Sequence, residues 1–177
     1  MGEKGHPLTF VRNDGAARYR YDDPASEFQT WYGSRTSEGA FYEVYAGWTE
    51  GDHEPTVISE LQRRRRVSGR VAIDDDLELI DLRGPAVNGV FRGLDDRLGT
   101  AEEYSLTQRW ARRIFECAPR VGGVVYRSRL GGESGPNVAV FLPRGAAALQ
   151  PLEPGDSVDA PRFAPERAAL RAIGIGW

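Results

Sequence analysis

Short β-rich runs, each stopped by glycine or proline and separated by helical stretches of unequal length, set the narrowest bound on what this chain can fold into. Phe28 to Gly33 alternates aromatic and polar residues and breaks at Gly33-Ser34, which predicts a strand. Leu77 to Leu82 predicts a second, ended by Gly84-Pro85. Val121 to Ser128 and Val138 to Leu142 predict two more, with the glycine-rich stretch Gly131 to Gly135 as a hairpin connection between them. Leu8 to Arg12 reads as an edge strand before a turn at Asn13-Asp14-Gly15. A helix starts from Thr36 or Ser37, with the hydroxyl as N-cap and Ala40, Phe41, Val44 and Tyr45 as its apolar stripe. Glu43 lies beside that stripe, so it points into a cleft at the edge of the core. Further helices are predicted over Thr56 to Val67 and from the capping box Thr100 to Glu103 as far as about Cys117, the latter with Leu106, Trp110 and Ile114 on one face. A short last one runs from Pro165 to Ile173. Strands and helices do not alternate strictly, which argues for an α+β fold rather than a doubly wound parallel sheet.

The length of 177 residues fits one domain able to bury a core without staples. A net charge of −3 provides no field to draw the chain onto nucleic acid or an anionic membrane, so neither partner is expected. The four-arginine run Arg63 to Arg66 spreads around a helix axis and reads as a solvated face. Cys117 is the single cysteine, which rules out an internal disulfide and a cysteine-type zinc site. His6 and His53 lack ligand spacing, so no metal is expected. No apolar run is long enough to span a membrane, and Met1 to Phe10 lacks a charged-then-apolar leader pattern, so a cytoplasmic location is expected.

Two dense segments carry the chemistry. The segment RYDDPASEFQTWYGSRTSEGAFYEVY, Arg20 to Tyr45, holds an arginine, phenols and a carboxylate. The second, GVVYRSR, ends a β-branched run on Ser128. Arg20 has the guanidinium fork that matches phosphate oxygens, although a pairing with Asp22 or Asp23 would also account for it. Tyr32 offers a face to a cationic ring, or is a core aromatic beside Trp31. Glu43 is a candidate for stabilising a developing positive charge, or a solvated helix glutamate. Ser128 is a candidate ligand hydroxyl, or a strand-end group satisfying local backbone. Ser34, Ser37 and Ser134 have no paired histidine, so a hydrolase triad is not indicated, and the glycines near 131 lack the lysine and helix of a phosphate loop.

Taken in order, these segments resemble the RES domain family, named for its Arg, Glu and Ser. HPLTF, RYDDP, EFQTWYGSRTSEGAFYE, LELIDL, YSLTQRWA, GVVYRSR and NVAVF follow the family's order over roughly Pro7 to Arg144. Arg20 matches the arginine of the first motif, Tyr32 the tyrosine eleven positions before the glutamate, Glu43 that glutamate, Ser128 the late serine, and Asn137 the residue opening the following strand. The resemblance implies an ADP-ribosyltransferase-like fold, with small mixed or antiparallel sheets forming a cleft among helices. It implies a catalytic domain over residues 1–150, with 151–177 an extension packed on it. It also implies cleavage of the nicotinamide–ribose bond of NAD, with NAD as substrate and no cofactor, and water or phosphate as acceptor. Transfer of ADP-ribose to a macromolecule and a catalytically inert binding module are the alternatives. Glu43, Tyr32 and Ser128 would be catalytic, and Arg20, Tyr32, Ser128 and Asn137 would bind substrate. Members act as toxins, so the resemblance implies an Xre-type antitoxin protein as partner; a homo-oligomer is left open. Tyr32, Glu43 and Ser128 are expected to line one pocket, with Arg20 at its rim.

Overall fold

A computed structural model describes residues 19–45, 57–64, 66–83, 104–127 and 135–177. The frame is a four-stranded sheet of β1 (Gln29–Ser34), β4 (Leu79–Asp81), β5 (Gly123–Arg127) and β6 (Pro136–Leu142), in the order β1-β6-β5-β4. β6 runs antiparallel to both neighbours, whereas β4 and β5 are parallel. A parallel pair needs a crossover, and helix α3 (Ser105–Cys117) lies in the chain between those two strands. Two ladders of two strands lie beside it among the described residues: β2 (Val67–Ser68) with β8 (Asp156–Ser157), and β3 (Val71–Ile73) with β7 (Leu149–Pro151). Helices α1 (Ser37–Tyr45), α2 (Glu60–Arg64) and α4 (Ala164–Ala172) stand outside the sheet. The protein is therefore α+β, built from small sheets and a few helices.

Alternation along the central strands gives the sheet two apolar faces. On one face Val124, Ala139 and Phe141 pack with Tyr21, Phe28 and, from α3, Ala111 and Ile114. On the other, Val140, Leu142 and Leu149 pack with Trp31, Val71, Ile73 and Leu77, so the β3–β7 ladder covers that side. Burial on both faces explains why β6 reads as a near-continuous apolar run. A third cluster joins Phe41 and Tyr45 of α1 to Ile58, Val158, Phe163, Leu170 and Ile175, and thereby seats the C-terminal helix α4 against α1.

Local chemistry explains most of the element ends. Thr36 caps α1, its Oγ1 accepting from the Gly39 amide at 3.0 Å. Arg144 closes the end of α3 by donating to the Phe115, Ala118 and Val121 carbonyls, with its guanidinium 3.7 Å from the Phe115 ring centre. Gly135 enters β6 at a φ of 87°, a backbone conformation that glycine alone adopts without strain.

Three expectations are corrected. The helix expected over Thr56 to Val67 is only five residues long, Glu60–Arg64. The β-branched ends go elsewhere, Val57 bridging to Gly176 and Val67 pairing with Ser157. The buried line of α3 is Thr107, Ala111 and Ile114 rather than Leu106, Trp110 and Ile114. Thr107 tolerates full burial because its hydroxyl donates to the Tyr104 carbonyl at 2.9 Å. In α1, Val44 is exposed, and Glu43 lies across the helix from Phe41 and Tyr45, ~200° away at ~100° per residue. The helix has neighbours on both sides, α4 and the sheet, so it carries an apolar face and a polar one. The edge strand expected at Leu8 to Arg12 and the capping box at Thr100 to Glu103 lie outside the described residues.

Candidate active site

A polar row crosses the sheet where α1 passes over its end. Antiparallel register sets Ser34 of β1 opposite Asn137 of β6, and Asn137 opposite Tyr126 of β5. Partners directly opposite project to the same face, so these three side chains form one line. Glu43 reaches that line from α1. Asn137 Nδ2 donates to Glu43 Oε2 at 2.7 Å, and the Tyr126 hydroxyl donates to Glu43 Oε1 at 3.2 Å. The two carboxylate oxygens are thus held by two different strands. Burial, reinforced by the Glu43 charge, holds the Tyr126 phenol well above the ordinary tyrosine range, so it remains a neutral donor.

Arg20 lies beside this line. Its guanidinium carbon is 5.5 Å from the Tyr126 ring centre and 5.8 Å from that of Tyr104. The side chain is only 5% exposed, which corrects the expected position at a rim. Its Nε and Nη1 are shielded from solvent and have no hydrogen-bond partner among the described residues. Both adjacent acids have other partners. Asp22 accepts from the Tyr19 amide at 2.9 Å and from the Tyr32 hydroxyl at 3.0 Å. Asp23, fully buried, accepts from the Ala25, Glu27 and Phe28 amides and pairs with Arg112 at 3.1 Å. A buried cation with open donors is costly unless an anion completes it.

Tyr32 is placed differently from the simple expectation of a ring facing substrate. Its hydroxyl donates to Asp22 and accepts from the Tyr21 amide at 2.8 Å. Its ring meets Tyr19 edge-on at 5.8 Å. Burial, followed by the Asp22 charge, pushes its phenol far above the usual range. Tyr32 therefore clasps the Tyr19–Asp22 turn that presents Arg20. Tyr21 packs its ring 4.8 Å from that of Tyr126, its hydroxyl also pushed up by burial, with the charge and the close approach of the Arg20 side chain opposing in part.

The structure thus brings together Arg20, Glu43 and Asn137, with Tyr32 one contact away, while Ser128 lies outside the described residues. Sequence reasoning gave Tyr126 no role. The available signal was its place two residues before Ser128, a spacing that in an extended strand gives side chains of one face. Ser34 has no paired histidine in the sequence, and its place in the sheet gives it another use. Its Oγ is buried without a partner among the described residues, next to Asn137 in register.

The model of the RES domain family matches residues 5–163. This chain belongs to the RES domain family. The matched span contains the whole polar row, the Arg20 turn and both small ladders, so the site described above lies within the RES domain. Among the described residues only α4 and the C-terminal residues fall outside it, and α4 packs on the helix that carries Glu43. A comparison with curated proteins found no match. Among the described residues, no helix is long and apolar enough to cross a membrane, and no group of three or more His, Cys, Asp or Glu is placed to hold a metal ion.

Proposed function

We propose that this RES domain cleaves the nicotinamide–ribose bond of NAD, with water or phosphate as acceptor. The observation that carries the reading is a carboxylate fixed on both oxygens, Glu43, beside a buried guanidinium with open donors, Arg20. A dinucleotide offers the complement of each: a pyrophosphate for the cation, and a ribose that becomes cationic as its bond to nicotinamide breaks. Nicotinamide leaves neutral from a cationic nitrogen, so the leaving group needs no acid, and one carboxylate suffices where most glycosidases use two.

In this scheme Arg20 binds the pyrophosphate, and the clasp of Tyr32 with Asp22 and the Tyr21 amide holds the turn that presents it. Glu43 faces the ribose and stabilises the oxocarbenium-like transition state electrostatically. Asn137 and Tyr126 supply the preorganisation, because a carboxylate already aimed does not have to reorient as charge develops. With water as acceptor the products are nicotinamide, ADP-ribose and a proton; with phosphate they are nicotinamide and ADP-ribose 1″-phosphate. A toxin role with an Xre-type antitoxin belongs to the same proposal and rests on family membership alone.

The test is incubation of purified protein with NAD, with and without phosphate, followed by identification of products. Nicotinamide released without any macromolecule supports the reading. ADP-ribose found on an added protein or nucleic acid would favour transfer, and NAD binding without turnover would favour an inert binding module.

A further inference from the structure

We propose that Ser34 and the carbonyl oxygen of Asn137 form a pair that reads the carboxamide of the nicotinamide ring, and so sets the substrate as NAD rather than its acid analogue. The proposal rests on the NAD-cleaving reading and adds to it the direction in which the substrate lies and the group that is selected.

The orientation of the Asn137 amide is forced by its partner. Glu43 Oε2 accepts at 2.7 Å, and an ionised carboxylate has no proton to give, so the nitrogen must face Glu43. The amide oxygen, Oδ1, therefore faces away from Glu43. It is buried and has no hydrogen-bond partner among the described residues. Ser34 Oγ is in the same condition, on the residue directly opposite in the β1–β6 ladder. Opposed residues on one face have Cβ atoms ~4.5–5.5 Å apart. One hydroxyl donor and one carbonyl acceptor thus stand side by side, neither satisfied by a described residue, and buried polar atoms in native proteins are rarely left so.

A carboxamide is the complement of that pair, since it presents one acceptor oxygen and one N–H donor from a single planar group. Its oxygen would accept from Ser34 and its nitrogen would donate to Asn137 Oδ1. A phosphate does not fit this end, because its oxygens would face an acceptor. The opposite holds at Arg20, which has donors only and lies on the Tyr126 side of the row. Glu43, held by both Asn137 and Tyr126, stands between the two ends. The order Ser34–Asn137, Glu43, Arg20 follows the order carboxamide, ribose, pyrophosphate along the substrate.

Two consequences separate this from a structural role for Ser34. Nicotinic acid adenine dinucleotide carries a carboxylate in place of the carboxamide, which would set a negative oxygen against Asn137 Oδ1 and leave that acceptor unpaired. Sites built around such a hydrogen bond discriminate strongly. In addition, removing a hydroxyl that has no partner among the described residues costs the fold little.

The experiment measures kcat and KM of the full chain on NAD and on nicotinic acid adenine dinucleotide, and then the same constants and the Tm of Ser34→Ala. The wild type is expected to prefer NAD by roughly 10²-fold or more in kcat/KM. Ser34→Ala is expected to raise KM for NAD about 3- to 10-fold while the Tm without substrate holds or rises. Equal use of the two dinucleotides by the wild type would overturn the carboxamide assignment and leave NAD cleavage standing, and this arm does not depend on any variant folding. A lowered Tm with unchanged KM in Ser34→Ala would make the serine structural and overturn its part. Turnover of neither dinucleotide would overturn the NAD reading itself, and this pair with it.

Discussion

Tyr126 and Glu43 meet across the end of the sheet, the phenol donating to the carboxylate at 3.2 Å from a strand 83 residues further along the chain. The same phenol ring lies 5.5 Å from the Arg20 guanidinium carbon, so one side chain spaces the carboxylate from the cation. Tyr126→Phe keeps the ring, its packing on Tyr21 and its contact with Arg20, and removes only the bond to Glu43. Hydrogen bonds to charged groups are worth about 1.5–3 kcal/mol, so kcat on NAD should fall roughly 10- to 100-fold. Steady-state kinetics alongside a thermal melt checks this. A kcat within twofold of wild type would show that the Tyr126 contact does not bear on turnover.

Arg20 should show function and stability pulling in opposite directions. Arg20→Met keeps length and apolar contact but removes a buried charge with open donors. Replacing a buried charged side chain by an apolar one of similar volume is often neutral or stabilising. The variant should therefore melt at the wild-type temperature or above it, while KM for NAD rises about 10-fold or more, as expected on losing a charge-assisted contact. A drop in Tm with KM unchanged would show that the guanidinium serves the fold.

Asp23 should behave in the reverse way. It is fully buried, accepts from three backbone amides and pairs with Arg112. Asp23→Ala leaves the Ala25, Glu27 and Phe28 amides without their acceptor, and unsatisfied buried donors are costly, so the loss should be about 3 kcal/mol or more. Chemical denaturation measures it, and a change below about 1 kcal/mol would contradict the assigned role.

The part of the fold legible in the sequence was the part fixed by neighbours along the chain. The aromatic–polar alternation before Gly33-Ser34 and the hydroxyl of Thr36 located β1 and the start of α1 to within a residue, because both signals are local. The surroundings of Arg20 were not legible for the same reason. Two acids follow it at once, yet Asp22 is taken by Tyr19 and Tyr32, and Asp23 by its own loop and by Arg112 from a distant helix. The row Ser34–Asn137–Tyr126 depends on strand register, which no local pattern in β5 or β6 encodes. Likewise, Glu43 was read from one apolar stripe, whereas α1 has neighbours on both sides.

Four shielded phenols give an alkaline signature. Burial raises the pKa of Tyr21, Tyr32, Tyr45 and Tyr126 above the ordinary value of 10.0, that of Tyr45 to about 12. The unfolded chain releases these protons near that value and the folded chain does not. Their contribution is therefore fully present below about pH 10 and is lost as pH rises beyond it. Tyrosinate absorbance followed together with circular dichroism should show these four of the seven tyrosines ionising only well above pH 10, Tyr21, Tyr32 and Tyr126 as structure is lost. Full tyrosine ionisation in a still-folded protein would contradict their burial.

The central claim is that Glu43, held by Asn137 and Tyr126, acts on the ribose of NAD. The most direct measurement is nicotinamide release from NAD by the wild type and by Glu43→Gln, which keeps the shape of the side chain and removes its charge. The account predicts release by the wild type and a rate at least ~10²-fold lower in a folded Glu43→Gln protein, the size of effect seen when one transition-state electrostatic contact is removed. A folded Glu43→Gln protein that releases nicotinamide at the wild-type rate, or a folded wild type that releases none, would contradict it.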